Sequence, residues 1–302
     1  MKKFEIKKIL LPTDFSDTAN NALRQAIVMA KLAGAELKLL YVIEPEMNFS
    51  ATIPMPQSEG YYEQLKINLL NKLGKIAQNI ESENNIKVTY ETRFETVYKQ
   101  ICSVAEDENI DLIMMGTHGN SGVSEFFIGS NASKVVSNAN CPVITIQQKA
   151  ATSGFKTICL PIRAEINSRQ KVDYVVELAK LYASTVFIIG YADMNNEEDQ
   201  IKVKQYVLQV EKYLVKLNVN HNSTFITGDN FTKEIMLHAE KNNADLIAVI
   251  NETSFSLDHL IKGPFAKQFV NHSTIPVISI PVYSNPDLIS YSPYLSGSLP
   301  GI

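Results

Sequence analysis

Apolar runs and helical stripes of apolar residues alternate along the first half of the chain. Lys8–Leu11 and Glu36–Ile43 have the short apolar pattern that predicts buried strands. Between them, alanine and other apolar residues recur at helical spacing from Ala19 to Ala30, and Gly34 marks the end of this helix. Strands that alternate with helices indicate a doubly wound parallel α/β sheet. The same alternation predicts the other elements of this half: helices at Tyr61–Glu83 and Thr96–Glu108, and strands at Ile86–Thr92, Leu112–Met115 and Val143–Gln147.

The second half of the chain repeats the first. Lys8–Pro12 matches Thr157–Pro161 at an offset of 149 residues, and Cys141–Ile144 matches Ile275–Ile278 at an offset of 134. A shorter counterpart of the irregular segment Glu44–Gly60 explains the smaller second offset. The sequence therefore predicts an α/β fold with two tandem doubly wound domains. We place them at residues 1–150 and 151–282, followed by a C-terminal tail, 283–302. We expect this tail to dock on the body of the protein or on a neighbouring molecule through Tyr291, Tyr294 and Leu299.

Composition and charge exclude several classes of protein. The chain has 302 residues and is 45% hydrophobic, so each half can bury a core of its own. A net charge of −4 argues against a nucleic-acid partner, because such domains are usually basic. The apolar run Ile9–Leu11 is too short for a signal peptide, and no run approaches the length of a membrane span. The three cysteines lack paired spacing, which fits reduced thiols. We expect a cytoplasmic protein without membrane contact.

A glycine loop follows the predicted fourth strand. Gly116, Gly119 and Gly129-Ser130 come directly after the apolar run Leu112–Met115, and a helical pattern follows them. In a parallel α/β sheet such a loop lies at the carboxyl ends of the strands, where ligands bind. A helix that begins with Gly-Ser offers free backbone N–H groups to an anion. This order of residues predicts a phosphate site.

The spacing Gly116-x2-Gly119-x9-Gly129-Ser130, combined with Pro12-Thr13-Asp14 after the first strand, resembles the nucleotide-binding signature of the universal stress protein family. The resemblance covers nearly the whole chain as two copies. It implies that each domain is an open, Rossmann-like, five-stranded parallel sheet of order 3-2-1-4-5, with ATP across the carboxyl ends of strands one and four. It also implies that the last strands of the two domains pair in an intramolecular pseudo-dimer, and it leaves a homodimer open.

The resemblance assigns a role to each matching position. Asp14 is expected at the ribose or base, and the main chain of Val42 at the adenine edge. Gly116 and Gly119 are expected to let backbone approach the phosphates, because a side chain there would stand in the way. The full set of candidate nucleotide-binding residues is Pro12, Thr13, Asp14, Val42, Met115, Gly116, Gly119, Gly129, Ser130, Asn131 and Ala132. Taken singly, each glycine also fits simple turn chemistry, and Asp14 also fits a helix start.

The candidate site lacks the basic residues that a triphosphate favours. No arginine lies between Met115 and Lys134, so backbone dipoles and an accompanying Mg²⁺ ion would have to offset the phosphate charge. This favours AMP or ADP over tightly bound ATP. The Walker pattern is absent, which excludes P-loop mechanics. The histidines show no metal-ligand spacing, so we expect no protein metal site.

The second copy carries different residues at the equivalent positions. We therefore expect no nucleotide there in the family manner. Tyr191 is expected in the adenine slot and Arg163 in a salt bridge. The replacements are Asp14 to Arg163, Val42 to Tyr191, Gly116 to Ile250, Gly119 to Thr253 and Ser130 to Pro264, while Gly263 is kept.

Three functions stay open at this point. The first is a stress-response or signalling protein that binds an adenine nucleotide in its first domain and presents Glu44–Gly60 to an unidentified protein partner. The second is a slow ATPase, for which His118 has no catalytic partner placed by the sequence. The third is an interaction scaffold without nucleotide. We assign no catalytic residue.

Overall fold

The computed structural model describes residues 4–44, 59–117, 129–147, 154–251 and 265–282. Strands and helices alternate in both halves, as the hydrophobic pattern predicts. The first half contains β1 (Lys8–Pro12), α1 (Asp17–Ala33), β2 (Glu36–Ile43), α2 (Glu59–Asn84), β3 (Val88–Phe94), α3 (Val97–Asp107), β4 (Leu112–Gly116), α4 (Ser130–Asn138) and β5 (Val143–Ile146). The second half contains β6 (Thr157–Ile162), a 3-10 helix (Ile166–Arg169), α5 (Val172–Tyr182), β7 (Thr185–Asp193), α6 (Glu197–Lys216), β8 (His221–Gly228), α7 (Phe231–Lys241), β9 (Leu246–Asn251), α8 (Phe265–His272) and β10 (Val277–Pro281).

All ten of these strands form one sheet, in the order β3-β2-β1-β4-β5-β10-β9-β6-β7-β8. Within each half the strands are parallel and follow the predicted order 3-2-1-4-5. Pro12 pairs with Leu40 in the first half, and Pro161 pairs with Ile189 in the second. Both pairs are related by the offset of 149 residues, so the sequence repeat is also a structural repeat. The predicted doubly wound α/β fold is confirmed.

The last strands of the two halves join them into a continuous sheet. β5 and β10 pair antiparallel, and Ile144 lies opposite Ile278, its own equivalent at the offset of 134. This self-pairing places a pseudo-two-fold axis between the two isoleucines. The Thr145 hydroxyl donates to the Val277 carbonyl at 3.3 Å, and Asn251 Nδ2 donates to the Val136 carbonyl of α4 at 2.6 Å. The pairing covers two edges that would otherwise be exposed.

An aspartate fixes the start of the central strand in each half. Asp111 Oδ2 accepts from the backbone N–H groups of Lys7 and Lys8 at 2.8 and 2.9 Å. Asp245 accepts in the same way from Lys156 and Thr157 at 2.8 and 3.1 Å. The shared Asp-Leu-Ile of the two copies is therefore a structural element of the repeat and belongs to the amino ends of the strands, away from the candidate site.

Several predictions fall on residues outside the described ranges. These are the segment 45–58, the loop with Gly119 and His118, the boundary near residue 150, Thr253 with Gly263 and Pro264, and the tail 283–302. In the ranges that are described, every helix is too short or too polar to cross a membrane.

Candidate functional site

The turn between β1 and α1 is held by its own polar groups. The Thr13 N–H donates to the Leu40 carbonyl at 2.8 Å, which fixes the turn against β2. Asp14 Oδ1 accepts from the Ser16 N–H at 3.0 Å, and Ser16 caps α1 by accepting from the Ala19 N–H at 3.2 Å. Phe15 has a φ of 63°, a backbone conformation that is uncommon for a residue with a side chain. These bonds set the Asp14 carboxyl at the carboxyl end of β1.

The amino end of α4 approaches the same place from the other side. Gly129 is the N-cap, and its N–H donates to the Thr117 carbonyl at 2.7 Å. A glycine cap brings no side chain to the first turn, so the N–H groups of Ser130 and its two successors have no intrahelical acceptor. The N-terminal end of a helix carries a partial positive charge and favours anions.

These elements surround a cavity of about 290 Å³, which we call the first pocket. Its walls contain ten of the eleven residues that the sequence nominated, and Gly119 lies outside the described residues. The ten are Pro12, Thr13, Asp14, Val42, Met115, Gly116, Gly129, Ser130, Asn131 and Ala132. Asp14 is the only formal charge among the lining side chains in the part of the chain that the structure describes.

Six further residues line the first pocket and were missed by the sequence analysis: Ala19, Leu40, Tyr41, Val97, Ile101 and Thr117. Val97 and Ile101 are one turn apart on α3 and give the cavity an apolar wall. Their four-residue spacing is visible in the sequence, but only the fold shows that this end of α3 faces the cavity. Thr117 is buried, and its N–H donates to the Ile146 carbonyl at 3.0 Å.

Gly116 has a packing role that the sequence analysis did not predict. A Cβ atom at this position would lie 2.8 Å from the Thr18 carbonyl carbon and 3.0 Å from the Ala19 nitrogen. Such contacts are shorter than packed atoms tolerate, so any side chain would push α1 away from β4. The glycine allows the close approach of helix and strand. This packing role stands beside the expectation that Gly116 lets backbone approach phosphate, which stays a prediction.

A cation lies on α4, one turn beyond Ser130. Lys134 is exposed, and its ammonium nitrogen lies 5.2 Å from the centre of the Tyr98 ring of α3. Long helical side chains lean toward the N-terminal end of their helix, which here is the end that lines the first pocket. Lys134 is the basic side chain of α4, and it lies outside the set of residues that line the first pocket.

The equivalent place in the second half is a cavity of about 260 Å³, which we call the second pocket. Its charged lining differs sharply from that of the first pocket: Arg163, Glu165, Asp193, Asp199 and Asp229. The Arg163 guanidinium lies 4.8 Å from the Phe231 ring centre and 4.4 Å from that of Phe265. It also forms an ion pair with Glu165, so the predicted salt bridge is confirmed.

Tyr191 lies on the β7 side of the second pocket and is nearly buried. Its hydroxyl donates to the Gly228 carbonyl at 2.9 Å, and its ring meets Phe231 edge-to-face with 5.1 Å between centres. Burial, followed by the nearby Asp193 carboxylate, raises the pKa of Tyr191. The lining of the second pocket thus combines four carboxyl groups, one guanidinium group and an aromatic cluster.

The cysteines show no sign of reactive chemistry. Burial raises the pKa of the Cys102 thiol to about 11 and that of Cys141 to about 12, and it raises the pKa of Cys159 as well. A thiol must ionise to act as a nucleophile or metal ligand, so these groups are packing residues. Across the described ranges, His, Cys, Asp and Glu form no cluster of three or more that could hold a metal ion.

The fold and the site define a class of protein, namely a tandem α/β protein with a cavity at the carboxyl ends of the strands in its first half. A sequence profile of the universal stress protein family matches residues 5–147. Universal stress protein MJ0577 of Methanocaldococcus jannaschii is 34% identical over 156 residues, which cover 47% of this chain and 96% of that protein. Universal stress protein MJ0531 of the same organism is 34% identical over 146 residues, covering 47% of this chain and 82% of its own. The chain therefore belongs to the universal stress protein family.

A solved structure extends the likeness to both halves. The universal stress protein from Archaeoglobus fulgidus superposes with a TM-score of 0.72 and covers 93% of this chain and 98% of its own. At 20% sequence identity this shows the shared fold alone. The two relatives thus match about half of the chain, and the solved structure matches the fold of nearly the whole chain.

Proposed function

We propose that the first pocket binds one adenine nucleotide per chain and that the second pocket binds none. The observation that carries this proposal is the juxtaposition of Asp14 and the amino end of α4 across one cavity. A carboxylate accepts hydrogen bonds from ribose hydroxyls, and a helix amino end donates to phosphate. The volume of about 290 Å³ lies at the low end for ligand cavities, about 300–1,000 Å³, which favours a mononucleotide over a larger cofactor.

The two ends of the pocket suit the two ends of a nucleotide. Val42, Val97 and Ile101 supply an apolar wall for the base, and the main chain of Val42 is available to its polar edge. Ser130 and Asn131 supply backbone N–H groups and polar side chains for phosphate. Since Asp14 is the one charged side chain among the described lining residues, AMP and ADP are the preferred ligands, and ATP requires Mg²⁺ to offset its charge.

Calorimetric titration of the full chain with AMP, ADP and ATP, each with and without Mg²⁺, tests this proposal. We expect one site per chain. Ser130→Pro removes one N–H and the hydroxyl at the first position of α4, where proline is well tolerated, so the fold should persist. Each lost hydrogen bond to a charged group is worth about 1.5–3 kcal/mol, so affinity should fall at least tenfold.

Ser130→Ala is the matched control, because it keeps the backbone N–H and loses only the hydroxyl. Its affinity should lie between those of the wild type and Ser130→Pro. A wild-type chain that binds none of the three nucleotides below millimolar concentration would contradict the proposal and leave an interaction scaffold as the function. Two equivalent sites per chain would contradict the restriction to the first half.

A stress-response or signalling role follows from this assignment as part of the same proposal. Nucleotide occupancy would be read by a protein partner, and the cavity offers no catalytic base beyond Asp14 among its described lining residues. Thiols with raised pKa and without a disulfide agree with a cytoplasmic location. Limited proteolysis with and without AMP would show whether occupancy alters an accessible segment, and an unchanged cleavage pattern would count against the signalling role.

A further inference from the structure

Helix α6 carries an apolar stripe that faces away from the core. Ile201, Leu208 and Val215 are 60%, 56% and 64% exposed. They follow one another at seven-residue spacing, which is about two helical turns, so all three lie on one side of the helix. We call them the outward stripe. The opposite side of α6 is buried through Val203, Tyr206, Val207, Val210 and Leu214.

The equivalent helix of the first half has no such stripe. Both α2 and α6 end just before an asparagine in the left-handed region, Asn85 and Asn218, each with a φ of 54°, and these two residues align the helices. Counted back from the asparagines, the stripe positions in α2 hold exposed polar residues: Asn68, Lys75 and Ser82. The fold that the two halves share therefore does not require apolar residues at these helix positions. Of the two equivalent helices, α6 has the outward stripe and α2 does not.

The charges of α6 are distributed so that the helix complements itself. Its first turn contains Glu197, Glu198 and Asp199, followed by Lys202 and Lys204, while Glu211, Lys212 and Lys216 lie near its end. Lys204 and Glu211 are turned toward β8, where they contact the Phe225 ring and the Ser223 hydroxyl, respectively. Two copies of α6 packed antiparallel would set the acidic end of each against the basic end of the other, and their helix dipoles would also be opposed. A parallel arrangement would instead place two acidic ends side by side.

We propose that the outward stripe is a docking surface for a second copy of this chain, with the two α6 helices antiparallel across a two-fold axis. An isologous contact centred on Leu208 places it against Leu208 of the partner subunit. Ile201 then lies against Val215 of the partner subunit, because each is seven residues from the centre. Glu198 comes within reach of Lys216 of the partner subunit.

The position of α6 in the sheet makes this contact accessible. The helix packs on β7 and β8, and β8 is the outer strand of the ten-stranded sheet, at the opposite end of the second half from the β5–β10 junction. Docking there leaves the first pocket open, so the inference does not depend on nucleotide binding. A single helix pair buries less than a standard interface, about 800 Å² per partner, so the dimer should be weak, with a dissociation constant on the order of tens to hundreds of micromolar.

Sedimentation velocity of the full chain between about 10 and 500 micromolar tests the proposal. We expect a monomer–dimer equilibrium for the wild type. Leu208→Glu places two carboxylates together at the axis and should weaken the dimer at least tenfold. Because Leu208 is exposed, this variant should keep the wild-type melting temperature. Lys75→Glu, at the equivalent position of α2, is the matched control and should sediment like the wild type.

Two further variants test the geometry. Leu208→Cys should form a disulfide-linked dimer on mild oxidation, because residues near a two-fold axis approach within bonding distance of their own copies. Glu198→Lys and Lys216→Glu should each weaken the dimer severalfold, and the double variant should restore it. A wild type that stays monomeric to 500 micromolar, or a Leu208→Glu chain that dimerises as the wild type does, would overturn the proposal. A wild type that stays monomeric is also the result expected if the chain's own tail, 283–302, covered the outward stripe.

Discussion

The two pockets occupy equivalent places in the two halves and differ in what fills them. In the first, the helix turn that contains Thr18 and Ala19 presses against Gly116, and the cavity is lined by one carboxyl group and an uncapped helix end. In the second, a guanidinium group lies against two phenylalanine rings, and carboxyl groups surround the opening. Duplication has kept the strand register and the Asp111 and Asp245 anchors, while the two cavities have diverged in charge.

The divergence extends to how each half packs its first helix. The counterpart of the first turn of α1 is a 3-10 turn, Ile166–Arg169, and regular helix resumes only at Val172. Ile250 stands where the first half has Gly116, and it is buried in the core. A close helix requires glycine at this position, whereas the altered turn leaves room for a branched side chain.

The largest effects on stability are expected from two separate substitutions, Ile250→Ala and Gly116→Ala. Ile250→Ala creates a buried void and should lower the free energy of unfolding by about 2–5 kcal/mol. Gly116→Ala overpacks the contact with α1 and should lower it by about 1–3 kcal/mol. Urea unfolding followed by circular dichroism measures both.

Gly60→Ala is the control for these substitutions. Gly60 lies in α2, and a Cβ atom there would meet nothing within 4 Å. Alanine at this position should leave stability unchanged or raise it by up to about 1 kcal/mol. If Gly116→Ala were as stable as Gly60→Ala, the packing explanation of Gly116 would be wrong.

The next effect concerns Asp14 and Arg163, which stand at equivalent positions in the two pockets. Asp14→Arg should weaken AMP binding about 10- to 100-fold, because it removes an acceptor for the ribose and fills the cavity with a long side chain. Arg163→Asp should leave the number of nucleotides per chain at one, since Tyr191 and the other carboxyl groups of the second pocket remain. Calorimetry of both variants gives the affinity and the stoichiometry. A second binding site in Arg163→Asp would show that the arginine alone closes the second pocket.

A smaller effect is expected from Tyr191→Phe. The variant loses the hydrogen bond to the Gly228 carbonyl and should be less stable by about 0.5–1.5 kcal/mol at neutral pH. Because the folded pKa of Tyr191 is raised from 10.0, its contribution is present below pH 10 and is lost as the pH rises through the higher folded value. The stability difference between the two proteins should therefore shrink in strongly alkaline buffer. A constant difference at all pH values would mean that the hydroxyl is not the cause.

The architecture could be predicted from the sequence because the hydrophobic pattern has a clear period in each element and recurs in both halves of the chain. Strand and helix order and the repeat followed from patterns present in both halves. The pairing of the last strands, β5 with β10, followed from the family resemblance, and the structure shows that it is antiparallel. The candidate site was found through glycine spacing and family resemblance, but its apolar wall was missed. Val97 and Ile101 look like ordinary core residues in sequence, and only the packing of α3 beside α4 turns them toward the cavity. The close contact of α1 with Gly116 was also missed, since sequence does not show that α1 lies against it, and the role of Gly116 beside phosphate stays a prediction.

The smallest predicted effect is the change in nucleotide affinity on replacing Lys134, which tests how much a nearby positive charge contributes to the first pocket. The Lys134 ammonium nitrogen lies 5.2 Å from the centre of the Tyr98 ring, one helical turn beyond Ser130 of the candidate site. An exposed cation contributes about 0.3–1 kcal/mol near a helix-bound anion, so Lys134→Gln should weaken ADP binding about two- to fivefold. AMP, with less charge, should lose less. The control is Lys75→Gln, an exposed lysine on α2 that lies outside the pocket lining. If Lys134→Gln lowered the affinities for AMP and ADP equally, the lysine would act through packing on Tyr98 and not through attraction to the phosphate charge.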